Sequence, residues 1–281
     1  MSDLLTKTRD ICRLLEIKPA RSKGQNFLIN EKIYEDIIEA ADIKKSDTVL
    51  EIGPGLGFLT TKLAAQAKRV IAVELDDKLA AYLQTGVAAS DRENIKIINE
   101  DILKFNPAAH LAAGEKYQVV ANLPYNITSI FLRQFLSAVR PPESLVLMLQ
   151  KEVAERIVAV PPDMSLLAVS VQYYGAPKII REVKAGNFWP EPAVSSAIIR
   201  IDLSGEAGRR EEDKRFFRLV KFGFSAKRKM LKNNLAAGLK IAPKIIEEYL
   251  VKQGLDPKIR AEELSLDDWK KLFAALAAFV I

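Results

Sequence analysis

Short apolar, β-rich runs punctuate the first half of the chain at residues 48–52, 70–74, 95–98, 119–121 and 145–149. Each is nearly continuous in hydrophobicity, the pattern of a strand buried on both faces. Stretches with helical spacing lie between them, at 58–67, 77–85 and 129–138. This alternation predicts an α/β architecture with a mostly parallel sheet covered on both sides. Two further β-rich runs, 178–183 and 197–203, follow a helical stretch at 152–158 without a clear helix between them. They are expected to pair antiparallel at a sheet edge and to bring the strand count to seven. Residues 204–208 (Ser, Gly, Glu, Ala, Gly) read as a linker, and the remainder shows helical periodicity that ends in 269–279. Two domains are therefore expected, an α/β domain at 1–205 and a small all-helical domain at 206–281, in keeping with a chain of 281 residues.

Composition narrows the chemistry. One cysteine (Cys12) and one histidine (His110) exclude a disulfide scaffold and any Cys/His zinc site. No metal is expected. No apolar run reaches the roughly 18 residues that span a bilayer, and the charged start carries no signal-peptide core, so a cytoplasmic protein without a membrane partner is expected. The net charge of +6 is uneven, because residues 206–281 hold 17 basic and 11 acidic groups and so carry the whole excess. Between Lys214 and Lys232 there are eight basic residues and no acid. A solvated helix face usually mixes both signs, so this run points to nucleic-acid phosphates. Phe216, Phe217, Phe222 and Phe224 are interleaved with the cations; their spacing suits the buried face of a helix better than base stacking.

The first strand runs into Glu51, Ile52, Gly53, Pro54, Gly55, Leu56, Gly57, with a helix starting near Phe58. Glycines at such a turn let the backbone approach a ligand closely, as in doubly wound sheets that bind nucleotides at strand ends. Glu74 ends the second strand 21 positions after Gly53, where a ribose-binding acid belongs. The dinucleotide fingerprint would put its third glycine at Phe58, so G-x-G-x-G suits a nucleoside better than a pyrophosphate. A plain strand-to-helix turn is the alternative. Asp101 adds a polar group on the same rim, with an N-cap or turn role as its alternative.

Asn122, Leu123, Pro124, Tyr125 follow the apolar run 119–121. An adenine exocyclic amine is a poor nucleophile, because its lone pair is delocalised into the ring. Two acceptors on its hydrogens help it pyramidalise, and the Asn122 carboxamide oxygen and the Pro124 carbonyl supply such a pair. Tyr125 offers a ring for a flipped base. No strong base is needed, in line with the lack of a histidine here. Simple termination of a strand by Asn and Pro is the alternative.

Together these segments resemble the ribosomal-RNA adenine dimethyltransferases, which dimethylate two adjacent adenosines in the 3′-terminal hairpin of small-subunit (16S) ribosomal RNA. The likeness extends to Gly24, Gln25, Asn26, Phe27, Leu28, to Phe188, Pro190, Pro192, Val194, Ser196, and to Phe224, Ser225, Ala226, Lys227, Arg228, Lys229. The resemblance implies a class I, Rossmann-like methyltransferase fold that binds S-adenosylmethionine in domain 1–205, and an RNA-binding helical domain at 206–281. It implies that Asn26 and Leu28 cover the cofactor, Gly53 packs against it, Glu74 holds its ribose, Asp101 its adenine amine, and Asn122 lies between cofactor and base. Tyr125 and Phe188 would wall the base pocket, the loop setting of Phe188 between Gly186 and Pro190 favouring that role over a core position. Arg215, Arg218, Lys221, Lys227, Arg228 and Lys229 would grip RNA. A monomer acting during small-subunit biogenesis is expected. Pro161, Pro162, Asp163, Met164 have no assigned role.

Macrolide-resistance methyltransferases, which act on large-subunit RNA, share the 24–28 segment and the Asn-x-Pro-Tyr logic, but residues 188–196 and 227–229 look more like the small-subunit enzymes. DNA adenine methyltransferases carry a second proline where Leu123 stands. A non-catalytic assembly factor on the same fold is the competing class, and a nicotinamide-dependent oxidoreductase leaves the tetrapeptide unexplained.

Overall fold

A computed structural model describes residues 3–19, 25–87, 93–203 and 210–280. The chain forms two compact units, one of Met1–Ala154 with Pro177–Gly205 and one of Glu155–Ala176 with Glu206–Ile281.

In the first unit the strands β2 (Thr48–Ile52), β3 (Arg69–Glu74), β4 (Ile95–Asn99), β5 (Tyr117–Asn122) and β6 (Ser144–Gln150) pair in parallel, and β9 (Ser196–Leu203) runs antiparallel to β6. With β7 (Gly175–Val183) at the edge, the seven-stranded order is β4-β3-β2-β5-β6-β9-β7. The order reverses between β2 and β5, so their carboxyl ends flank the crevice where doubly wound sheets take ligands. Every residue of β2 is buried, and so are six of the seven in β6, which explains their unbroken apolar character. Helices α2 (Glu31–Ala41) and α3 (Phe58–Gln66) put Ile33, Ile37, Leu59 and Leu63 into one core with Val49, Val70 and Val120. Asn30 caps α2 by accepting the Lys32 N–H at 2.9 Å. Helix α4 (Asp77–Tyr82) widens into a π turn at Leu83–Val87, so the stretch expected to be one helix over 77–85 is two geometries. Helices α1 (Leu4–Leu14) and α5 (Thr128–Leu136) complete the covering, and α6 (Lys151–Ile157) follows β6 directly.

One element has no local sequence signal. Two short strands, β1 (Phe27–Leu28) and β8 (Phe188–Trp189), form a separate antiparallel ribbon, with Leu28 opposite Phe188 and Phe27 opposite Trp189.

The second unit packs α7 (Leu166–Tyr174), α8 (Arg210–Gly223), α9 (Leu231–Leu239), α10 (Pro243–Lys252) and α11 (Leu266–Leu276) around a fully buried Trp269. The sequence reading puts 155–176 in the α/β domain. The structure groups it with the helices, because α7 buries Ala168 and Val169 in the same core as Phe216, Leu219 and Leu272. Met164 also lies in that core and donates its N–H to the Glu262 carbonyl at 3.0 Å, so the 161–164 stretch, which had no role, supplies a packing residue to this unit. Phe216, Phe217, Phe222 and Phe224 belong to or pack on this core, with Phe224 tilted against Trp269, as their helical spacing suggests. The linker expected at 204–208 lies outside the described residues. No helix among the described residues is long and apolar enough to cross a membrane.

Candidate active site

The carboxyl ends of β2, β3 and β5 surround a cavity of about 410 Å³, a size suited to a nucleoside-like ligand. Its wall includes Gln25 to Leu28, Glu51 to Leu56, Val73 to Asp76, Asp101, Asn122, Pro124, Asn126 and Ile127. Six residues expected to hold a cofactor (Asn26, Leu28, Gly53, Glu74, Asp101, Asn122) therefore converge here from five segments. Gly24, quoted with them, lies outside the described residues.

The glycine turn is dictated by its backbone. Gly53, Gly55 and Gly57 have φ of 63°, 58° and 80°, values that side chains disfavour. A Cβ on Gly55 would stand 3.4 Å from the Phe27 ring. This turn presents the Gly55 N–H to Glu74 Oε2 at 3.0 Å, while the Asp76 N–H reaches Glu74 Oε1 at 2.9 Å. Two backbone donors thus aim a carboxylate that is only 6% exposed. Burial raises its pKa, and these hydrogen bonds oppose the rise. Asp76 in turn caps α4 through the Lys78 N–H at 3.1 Å. Asp101 lines the cavity and also accepts the Leu103 N–H at 2.9 Å, so the turn role and the site position coexist.

Asn122 ends β5, and its Nδ2 donates to the Asn26 carbonyl at 3.4 Å. That contact turns the carboxamide so that Oδ1 has no protein partner among the described residues. The Pro124 carbonyl accepts the Ile127 N–H at 3.3 Å, closing the turn before α5 and leaving one of its two lone pairs. Tyr125 is half-buried beside this wall rather than part of it, with its hydroxyl 2.8 Å from Ser196 Oγ. Burial pushes the phenol pKa up, so it stays protonated near neutrality.

Two expectations change. Phe188, expected to wall a base pocket, is 3% exposed and packs with Leu28 and Tyr34 in the core. Pairing with β1 draws it inward despite its loop-like sequence setting, and the cavity wall does not include it. Arg215, expected to grip RNA, donates to the carbonyls of Ala277 and Val280, so its guanidinium closes the final turns of its own unit. Arg218, Lys221, Lys227, Arg228 and Lys229 are exposed.

Glu51 is the site residue that sequence reasoning passed over. It is 1% exposed, lines the cavity, and its Oε2 has no hydrogen-bond partner. Burial, reinforced by the Glu74 carboxylate, pushes its pKa up to about 8. Its signal was available, since a carboxyl inside the apolar run 48–52 has no place in an ordinary strand core. Exposed Leu75, next to Glu74, is a second missed wall residue. Among the described residues no group of His, Cys, Asp or Glu is arranged to hold a metal ion.

Comparison with known proteins agrees with this geometry. The ribosomal RNA adenine dimethylase family matches residues 18–278. Ribosomal RNA small subunit methyltransferase A of Dehalococcoides mccartyi (strain CBDB1) is 45% identical over 272 residues, spanning 96% of this chain and 92% of that protein. The protein of the same name from Clostridium botulinum (strain Okra / Type B1) is 41% identical over 268 residues, 94% of this chain and 96% of its own. Among solved structures, a dimethyladenosine transferase from Plasmodium falciparum superposes with a TM-score of 0.78 at 28% identity, over 91% of this chain and 98% of that one. The 23S rRNA methyltransferase ErmE gives 0.73 at 27%, over 90% and 100%. With a family match over nearly its whole length and an Asn-Leu-Pro-Tyr strand end facing a glycine-built cavity, this chain is a methyltransferase of the ribosomal RNA adenine dimethylase family.

Proposed function

We propose that the chain dimethylates the 6-amino group of two adjacent adenosines in the 3′-terminal hairpin of small-subunit ribosomal RNA, acting as a cytoplasmic monomer on the assembling subunit, with S-adenosylmethionine as donor. The observation that carries this reading is Asn122, whose Nδ2 is tied to Asn26 so that Oδ1 is left as an acceptor on the cavity wall beside Pro124. The small-subunit choice rests on relatives of that name at 41% and 45% identity, against 27% for the 23S enzyme.

The residues fit the donor. Three positive-φ glycines make a cradle free of side chains, the Glu74 carboxylate suits a pair of ribose hydroxyls, and the orphaned Glu51 Oε2 suits a hydrogen-bond donor of the ligand. S-adenosylmethionine, when bound, supplies a methyl on a sulfonium, and methyl loss leaves a neutral thioether. Asn26 and Leu28 cover it, and Asp101 accepts from its adenine amine. Asn122 Oδ1 and the Pro124 carbonyl accept the two N–H bonds of the target amine, concentrating its lone pair on the side away from them. The nitrogen becomes positive as the C–N bond forms, both acceptors stabilise that charge, and the proton then passes to water. Tyr125 provides the face on which the extruded base rests. Phe188 acts one step back, holding the ribbon that carries Leu28.

The deciding experiment supplies labelled methyl donor to unmethylated small subunits, to large subunits and to duplex DNA, followed by nucleoside analysis. Dimethyladenosine confined to small subunits is the expected result. Label in the large subunit would replace this reading with the resistance-type activity, and RNA binding without transfer would mark a factor without chemistry.

The exposed Arg218, Lys221, Lys227, Arg228 and Lys229 are the RNA-gripping set. The turn that carries 227–229 is fixed by the buried Asn234, whose Nδ2 donates to the carbonyls of Gly223 at 2.6 Å and Ala226 at 3.0 Å. Arg228→Glu with Lys229→Glu is expected to weaken RNA binding and to lower the slope of log affinity against log salt by about one for each phosphate no longer neutralised. An unchanged slope in a salt titration of binding would remove this turn from the interface.

A further inference from the structure

Tyr125 stands in the loop between β5 and α5, and a tyrosine there has two free torsions with which to swing its ring. Its backbone end is fixed, since the Leu123 N–H donates to the Met148 carbonyl at 3.2 Å and the Ile127 N–H to the Pro124 carbonyl at 3.3 Å. The far end of the ring is fixed as well. Its hydroxyl meets the Ser196 hydroxyl at 2.8 Å, 71 residues away in sequence. Ser196 is fully buried and opens β9 directly opposite Gln150 of β6, so its backbone belongs to the antiparallel pair that joins β9 to the parallel part of the sheet. The preceding residue accepts the Lys151 N–H at 2.9 Å, which pins the start of β9 a second time. A rigid, buried hydroxyl thus holds the tip of a half-exposed ring at the rim of the active site.

We propose that Ser196 is a positioning residue for methyl transfer: by holding the Tyr125 hydroxyl it sets the plane of the ring on which the target adenine rests. This rests on the base-platform role of Tyr125 given above. Ser196 lies outside the cavity wall, so its influence falls on how the base is presented and leaves cofactor binding alone. Orientation matters here because both acceptors of the amine, Asn122 Oδ1 and the Pro124 carbonyl, are held in place. A base resting on a tilted ring cannot reach both at hydrogen-bond distance.

The test is a cycle of Ser196→Ala, Tyr125→Phe and the double variant, read by single-turnover methylation of small subunits and by binding of S-adenosylmethionine without RNA. Tyr125→Phe keeps the ring, removes only the hydroxyl at a half-exposed position, and so remains informative if Ser196→Ala folds poorly. Each single variant is expected to lower the rate of methyl transfer by about 3- to 10-fold, the range for losing one such hydrogen bond, with cofactor affinity unchanged. The double variant should be no slower than the slower single, since both substitutions remove the same bond. Wild-type rates in Tyr125→Phe, or losses that multiply in the double variant, would overturn the proposal while leaving the small-subunit reading intact. Failure of the wild-type protein to methylate any ribosomal adenine would bring down both together.

Discussion

Asn122→Ala is expected to lower the rate of methyl transfer by about 10²-fold or more while RNA binding persists, the size of effect seen when one fixed partner of a transition-state charge is removed. The side chain does two things. Its Oδ1 is the acceptor left on the cavity wall, and its Nδ2 ties β5 to the Asn26 carbonyl. Alanine loses both, so a smaller rise in the Kd for the cofactor should accompany the rate loss. Asn122→Asp separates the two effects, because it keeps an acceptor at Oδ1 and loses the donor to Asn26. Its rate should fall less than that of the alanine variant if the acceptor carries the chemistry. Single-turnover methylation at saturating donor, with filter binding for the RNA, measures each quantity. Near-normal turnover in Asn122→Ala would end the proposed mechanism.

The second large effect is on stability and comes from Glu51. Folding moves its pKa from 4.5 to about 8, so the folded chain binds this proton more tightly than the unfolded chain. The contribution of such a group is complete below the unfolded value and is lost as pH rises through the folded one. Between about pH 5 and pH 9 the protein should therefore lose stability on the order of several kcal/mol from this carboxyl alone. The raised pKa of Glu74 acts in the same direction. Glu51→Gln mimics the neutral form that burial favours, so it should fold as well as wild type at pH 5 and better at pH 9. Urea midpoints of the two proteins at both pH values measure this. A constant gap between them would show that Glu51 titrates normally in the fold.

Much of the α/β unit is legible in the chain because its strands are buried on both faces. The runs at 48–52 and 145–149 need no periodicity to be recognised; the first is the observed strand itself, and the second falls one residue short of it at each end. The cavity-wall residues were legible for a related reason: they sit at strand ends, where a polar residue after an apolar run stands out, as Glu74, Asp101 and Asn122 do. What was not legible depends on partners distant in sequence. Phe188 looks like a loop residue until Leu28 is placed beside it. Helix α7 contains few polar residues to mark a face, and nothing local shows that its core neighbours are Phe216 and Leu219, more than forty positions on. Counting charge treats every cation alike, whereas Arg215 spends its donors on two carbonyls near the end of the second unit. Glu51 was hidden by the opposite error, since a strand assignment made from its apolar neighbours absorbs the one residue that does not belong.

The β1–β8 ribbon bears on how the protein is made. Its partners, Phe27 with Trp189 and Leu28 with Phe188, are separated by about 160 positions, and between them the chain leaves the first unit to contribute Glu155–Ala176 to the second. A ribosome that has extruded β2 to β6 has released every strand of the glycine-loop crevice, yet Phe27 and Leu28 lack their strand partners until residue 189 emerges. Closing so long a loop is among the slowest steps available to a small domain. Nascent chains halted before and after that point should therefore differ sharply in how long they retain a bound nucleoside, even though the acids and glycines of the cavity wall were complete far earlier.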